Sequence, residues 1–261
     1  MNICFAIAHY KFFHSHRLDL TKELAKTHAV SIVTDCSKAI PQEIKYLKSL
    51  GIEVINLPGR SKKNGYISYA LSLRRVIQNI NPEIVFYVTL EMSVFGAMIH
   101  HLLKIKKSFF LITGLGTFFY SKKLKYLVLR SIQRLLFAFA LMKQNCLFVF
   151  QNTDDLEVFI DLKIANQSNV KMIRGNGVNA SDFICQDRKY ENKVIFLYAS
   201  RLVLSKGILE FINASRLLKG EYPDAEFHIA GGYDAEDPDS ISFEAFNALV
   251  TDNDILYLGE L

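Results

Sequence analysis

Arg201 and Lys206 stand close together in YASRLVLSKGILEF, where an apolar run gives way to a Ser-Lys-Gly corner and then to a segment of helical period. A helix start already presents positive charge, because its first N–H groups lack intrahelical partners and its dipole points that way. Two added cations do little there for folding. With Gly207 allowing close approach, they can hold a diphosphate through side chains and backbone amides together. A solvated Arg and Lys on a surface loop fit the same spacing. Ser205 is the expected N-cap, and Ile208, Phe211, Ile212, Ser215 and Leu218 form the core-facing stripe of the helix that follows.

Other residues carry weaker chemistry. HYKFFHSHR offers His14 and His16, but a metal site needs further ligands and no Cys or carboxylate cluster lies nearby in sequence. His16 and Arg17 fit either a substrate-facing loop after the first strand or a solvated helix start. In TGLGTFF, Gly114 and Gly116 could let backbone amides meet a substrate, or simply make a tight turn. GGYDAEDPDS contains Asp237 and Asp239 in an Asp-x-Asp arrangement, which reads as an acidic turn with Ser240 capping the next helix rather than as a metal pair. No metal site and no cofactor are expected. His100 and His101, at a helix end, read as carbonyl caps or packing residues. The segment 122–143 places Lys123, Arg130 and Arg134 on one face, Lys122 and Lys125 near its start, and Leu124, Val128, Leu135 and Phe139 towards the opposite side. Such a helix can rest on anionic lipid or be a packed helix with a solvated stripe.

The elements that must position these residues alternate along the chain. Apolar runs at 2–8, 29–34, 52–57, 83–88, 107–112, 146–150 and 169–173 read as strands, with helical patterns near 16–27, 41–50, 66–80, 92–104, 122–143 and 153–162. The runs are solidly apolar, as in parallel strands buried on both faces. A polar, aperiodic stretch, RGNGVNASDFICQDRKYENK, then reads as a linker. A second series follows, with strands at 194–200, 226–230 and 254–258 and helices at 206–219 and 241–250. The expected organisation is an α/β chain with one Rossmann-like doubly wound domain over 1–185 and a partial second over 186–261.

Bulk properties bound the partners. Of 261 residues, 50% are hydrophobic and 22% charged, the profile of a packed globular protein. Net charge is +5 and the pI about 8.9, which suits anionic partners without selecting one. Nucleic acid is a poor fit, because the cations are spread over loops without aromatic platforms. Cys4, Cys36, Cys146 and Cys185 form no CxxC pair and read as free thiols in a reducing compartment. No secretory signal is read at the start, and the most lipid-like run is interrupted by Arg130, Gln133 and Arg134, so a cytoplasmic protein is expected.

Taken together, ASRLVLSKG, FHIAGG and the acidic loop beyond it resemble the donor-domain opening of glycosyltransferase family 4. NGVNASDF resembles that family's hinge between domains, and TGLGTFF resembles the G-L-G segment of its subgroup using undecaprenyl-diphosphate-linked acceptors. The resemblance implies a GT-B fold and a retaining transferase that moves a sugar from a nucleotide-sugar, UDP-linked, to a polyprenyl-diphosphate-linked acceptor. It assigns Arg201 and Lys206, with Gly207, to the donor diphosphate. His16, Arg17, Gly114 and Gly116 fall to the acceptor side, and Lys123, Arg130 and Arg134 to peripheral contact with the inner face of the cytoplasmic membrane. The resemblance implies a donor domain that continues past YLGEL into an acidic E-x7-E-type motif holding the donor, so this chain is expected to be inactive alone, a truncated form or one with a separately encoded C-terminal half. A UDP-N-acetylhexosamine epimerase of the same fold, or a non-catalytic scaffold, are the alternatives.

Overall fold

The computed structural model describes residues 1–59, 65–115, 119, 124–184, 193–235 and 239–260. The chain divides into two compact units, Met1–Phe183 and Ile184–Leu261.

In the first unit, strands β1 (Asn2–His9), β2 (Ala29–Asp35), β3 (Ile52–Asn56), β4 (Ile84–Val88), β5 (Lys107–Ile112), β6 (Cys146–Phe150) and β7 (Val170–Met172) form one sheet in the order β3-β2-β1-β4-β5-β6-β7. Every pairing is parallel. Alternate residues of a strand point to opposite faces, so each apolar run feeds two cores. Ile3, Phe5 and Ile7 join Tyr10 and Phe13 of α1 (Tyr10–His16) and Leu47 of α3 (Pro41–Ser49), with α2 (Leu18–Ala25) partly buried beside them. Cys4 and Ala6 face the other layer. That layer comprises α4 (Tyr66–Ile80), α5 (Leu90–Ile99), α6 (Leu124–Leu141) and α7 (Thr153–Asp161). In-register pairing stacks Phe5 on Phe86 and Phe86 on Phe109, with centroids 4.7 and 4.6 Å apart.

One local feature differs from the sequence reading. Helix α1 follows β1 directly where a loop or helix start is expected, because Tyr10 and Phe13 can bury against the sheet at once. His100 is fully buried, within hydrogen-bonding distance of Asn145 and Ser108, while His101 meets the Phe139 carbonyl at 2.6 Å and stacks on its ring. Those two histidines therefore pack and cap, as expected. Cys4, Cys36 and Cys146 are free thiols, and Cys185 lies outside the described residues.

The second unit holds a three-stranded parallel sheet in the order β10-β9-β8, built from β8 (Ile195–Ala199), β9 (Glu226–Ala230) and β10 (Leu256–Tyr257). Helices α8 (Ile208–Glu221) and α9 (Phe243–Asp252) supply Ile208, Ile212, Phe246 and Val250 to its core. Gly231 lets the exits of β9 and β8 approach: a Cβ there would sit 1.7 Å from the Ser200 carbonyl oxygen. On the sheet face opposite Tyr198, Ile195 and Leu197 are exposed.

Candidate functional site

Residues with the chemistry to bind a substrate gather at the carboxyl edge of each sheet. In the second unit, β8 ends at Ala199 and the chain passes through Arg201 into a single 3-10 turn, Leu204–Lys206. Gly207 follows with φ +79°, a left-handed conformation that favours glycine, and opens α8. No side chain caps that helix. Ser205 does not act as the expected N-cap, because α8 begins beyond it. Its backbone N–H instead donates to Asp239 Oδ2 at 3.0 Å. Hydrogen bonds from Ser205, reinforced by the positive charge of Arg201, hold the Asp239 carboxyl below the usual range. Asp239 thus ties the acidic loop to the corner carrying Lys206, and Arg201 and Lys206 are both exposed. Asp237 lies outside the described residues. Ser240 does not cap α9 as expected: its hydroxyl donates to the Asp234 carbonyl, and Ser242 accepts from Ala245 N at 3.2 Å in the capping position.

In the first unit, the strand order reverses between β1 and β4, the place where open α/β sheets form a ligand crevice. A cavity of about 310 Å³ opens there, lined by Ala8, His9, Asp35, Gly59, Tyr69 and Glu91. Asp35 Oδ1 accepts from Ser37 N at 2.9 Å and Oδ2 from Gly59 N at 3.0 Å. Burial pushes this carboxyl up, but the Ser37 and Gly59 bonds outweigh it and the net shift is downward. A Cβ on Gly59 would stand 2.6 Å from Asp35 Oδ2, so the glycine is what allows the bond. Burial, then the Glu91 and Asp35 charges, push the Tyr69 phenol up to about 12. Thr89, between β4 and α5, has φ +85°, which is strained for a β-branched residue. Bonds from its N–H to the Leu111 carbonyl and to its own carbonyl from Ser93 N, each 3.0 Å, hold it in place.

Arg17 lies between α1 and α2 and is only 5% exposed. Its guanidinium donates to Asn176 Oδ1, which also accepts from Gln151, and to the His16 carbonyl at 3.1 Å. Its Nε is buried without a partner, and no carboxylate pairs with it among the described residues. Burial lowers its pKa. His16 is exposed, stacked on Phe12 at 4.3 Å, with Nδ1 2.6 Å from Ser15 Oγ. His14 turns instead towards Glu43, at 3.6 Å. Among the described residues no group of three or more His, Cys, Asp or Glu is placed to hold a metal. Gly114 is exposed, and a Cβ there would touch nothing within 4 Å. Gly116, Lys122 and Lys123 lie outside the described residues. Arg130 donates to the Phe119 carbonyl at 2.6 Å, while Arg134 is exposed. The stripe read as lying opposite the cations, Leu124, Val128, Leu135 and Phe139, faces solvent, and Gln133, Phe137 and Ala140 are what pack.

Asp35, Tyr69, Thr89 and Glu91 escape a reading of local spacing, since three separate segments deliver them. The one signal available was the strand-helix alternation, which implies a switch-point crevice somewhere along the carboxyl edge.

Two Rossmann-like α/β units with cationic and polar residues at the strand ends define a GT-B type fold. It is shared with HepE from Anabaena, solved with UDP and glucose, at TM-score 0.69 and 13% identity over 100% of this chain and 70% of that one. A UDP-N-acetylglucosamine 2-epimerase shares it too, at TM-score 0.60 and 12% identity over 100% of this chain and 68% of that one, so the fold does not separate transfer from epimerisation. The chain belongs to the glycosyl transferase 4-like family, whose pattern matches residues 2–152. It is also similar to the N,N'-diacetylbacillosaminyl-diphospho-undecaprenol alpha-1,3-N-acetylgalactosaminyltransferase of Campylobacter jejuni, with 26% identity over 230 residues. That match takes in 80% of this chain, which spans 58% of the relative's length.

Proposed function

We propose that the chain acts in sugar transfer from a nucleotide-sugar, UDP-linked, to a lipid-diphosphate-linked saccharide during surface polysaccharide or glycan assembly, capsule and O-antigen included. The observation that carries this is the corner before α8: left-handed Gly207 opens the helix without a side-chain cap, Lys206 adjoins it and Arg201 precedes it. A diphosphate is the ligand such a corner favours, through backbone N–H groups, helix dipole and two cations. When the bond between the anomeric carbon and the diphosphate oxygen breaks, its electron pair stays on the diphosphate. Arg201 and Lys206 stabilise that growing charge and supply what a divalent metal supplies elsewhere. Retention of the anomeric configuration is part of the proposal and rests on the family resemblance.

The first unit takes the acceptor side of this reading. Arg17 is a buried cation whose desolvation costs several kcal/mol without a counter-ion, and an acceptor diphosphate would supply one. The family resemblance assigns His16, Gly114 and Gly116 to the same acceptor role, and the cavity at Asp35 and Glu91 suits sugar hydroxyls as donors. A lipid-linked acceptor places the protein on the inner face of the cytoplasmic membrane. Transfer is favoured over epimerisation by the family match and by the kinship with a transferase. Isothermal titration of UDP into the chain tests the donor role. Binding is expected, and Arg201→Ala or Lys206→Ala should each weaken it at least about ten-fold, since charge-assisted bonds to phosphate are worth about 1.5–3 kcal/mol each. Absence of UDP binding, or affinity in both variants equal to that of the unaltered chain, would remove the assignment.

A further inference from the structure

Helix α6 is apolar on the side it buries and on the side it exposes. Phe137 and Ala140 pack inward, while Leu124 (74% exposed), Val128 (53%), Leu135 (71%) and Phe139 (50%) face solvent. At helical spacing these four share one stripe, with Ile132 beside them. A helix apolar all round is normally buried, and a contiguous exposed apolar patch marks a surface that meets something.

Charge says what that is. Between Glu91 and Asp154 the sequence carries no Asp or Glu but nine Lys or Arg residues. Arg134 is exposed on α6 itself. Against a second copy of the chain, this region would set cations on cations, which is unfavourable. An anionic bilayer surface satisfies both the apolar stripe and the run of sequence that carries cations and no carboxylate. The helix has 18 residues, about 27 Å at 1.5 Å per residue, and no helix of the described residues is long and apolar enough to cross a membrane.

We propose that α6 is an interfacial helix that lies along an anionic bilayer, with Leu124, Val128, Leu135 and Phe139 entering the boundary between headgroups and acyl chains and Arg134 meeting lipid phosphates. The sequence pointed to cations as the membrane contact; here the inserted surface is the apolar stripe, and Arg130 is engaged with the Phe119 carbonyl. This goes beyond the transfer reading and does not depend on it, because vesicles without any polyprenyl lipid test it.

The protein contains no Trp, so an L135W reporter is free of background emission. With vesicles of phosphatidylglycerol and phosphatidylethanolamine its emission should shift to the blue, whereas a Y222W reporter, at an exposed site in the second unit, should not shift. Val128→Ser with Phe139→Ser should lower the vesicle partition coefficient at least about ten-fold, and Arg134→Gln about five-fold. Far-UV circular dichroism checks that these surface variants remain folded, and the L135W result stands even if the double variant does not fold. An unshifted L135W spectrum, a double variant that binds vesicles like the wild type, or a wild-type dimer that the double variant converts to monomer would each overturn the proposal.

Discussion

Two cationic places in this molecule solve opposite problems. Arg17 is buried, held by Asn176 and the His16 carbonyl, and paired with no carboxylate among the described residues. Arg201 and Lys206 are exposed at a corner organised by the left-handed Gly207 and by the bond from Ser205 to Asp239. At the first place the fold bears the cost of desolvating a charge before any ligand arrives. At the second the charges stay hydrated, and the backbone supplies the shape. The difference teaches that a buried cation should be marked by its effect on stability, and an exposed pair by its effect on binding alone.

The largest effect that would break this contrast comes from Gly231→Ala, which drives a Cβ into the Ser200 carbonyl. It should destabilise the second unit by about 3 kcal/mol or more. Hydrogen exchange should show lost protection in residues 195–257 and unchanged protection in β1–β6; uniform loss would mean that the units do not carry separate sites.

A smaller effect is expected from Asp35→Asn, which loses a charged acceptor for two backbone N–H groups, at about 1–3 kcal/mol near neutral pH. The carboxyl is shifted below its ordinary value of 3.8 in the folded state. Its contribution is therefore present above that value and is lost as pH falls through the depressed one. Denaturant titrations of both proteins should converge below about pH 4; a gap that stays constant with pH would show that the charge is not responsible.

How far the sequence was legible follows from what kind of signal each feature leaves. The ten strands of the described residues were readable as apolar runs, most plainly in the middle of the first sheet, where burial on both faces makes the run solid, as in CFAIA of β1 and IVFYV of β4. The corner at Lys206 and Gly207 was readable because its parts are neighbours in sequence. Burial of Arg17 was not, since it depends on Asn176, which the topology brings from far along the chain. Nor were the roles of Asp35 and Tyr69, which meet only once β2 and α4 are packed against β1. Thr89 runs against propensity, and only its bonds to Leu111 and Ser93 explain its conformation. Cap positions slipped by two residues at Ser205 and Ser240: a 3-10 turn carries Ser205 before Gly207 opens α8, and Ser242 rather than Ser240 takes the cap of α9.

Finer still is the stability contrast between the two arginines. Arg17→Met keeps the bulk but removes a buried charge, and should raise stability by about 1 kcal/mol, whereas Arg201→Met should change it by less than about 0.5 kcal/mol. Chemical denaturation of the two variants measures both. A loss of stability in Arg17→Met would make that residue a structural tether to Asn176.

The division of labour itself is tested most directly by titrating UDP into Arg17→Met and into the Arg201→Ala, Lys206→Ala double variant and comparing both with the unaltered chain. The account predicts affinity unchanged in the first and lost in the second. Equal weakening in both, or full affinity in the double variant, would contradict it.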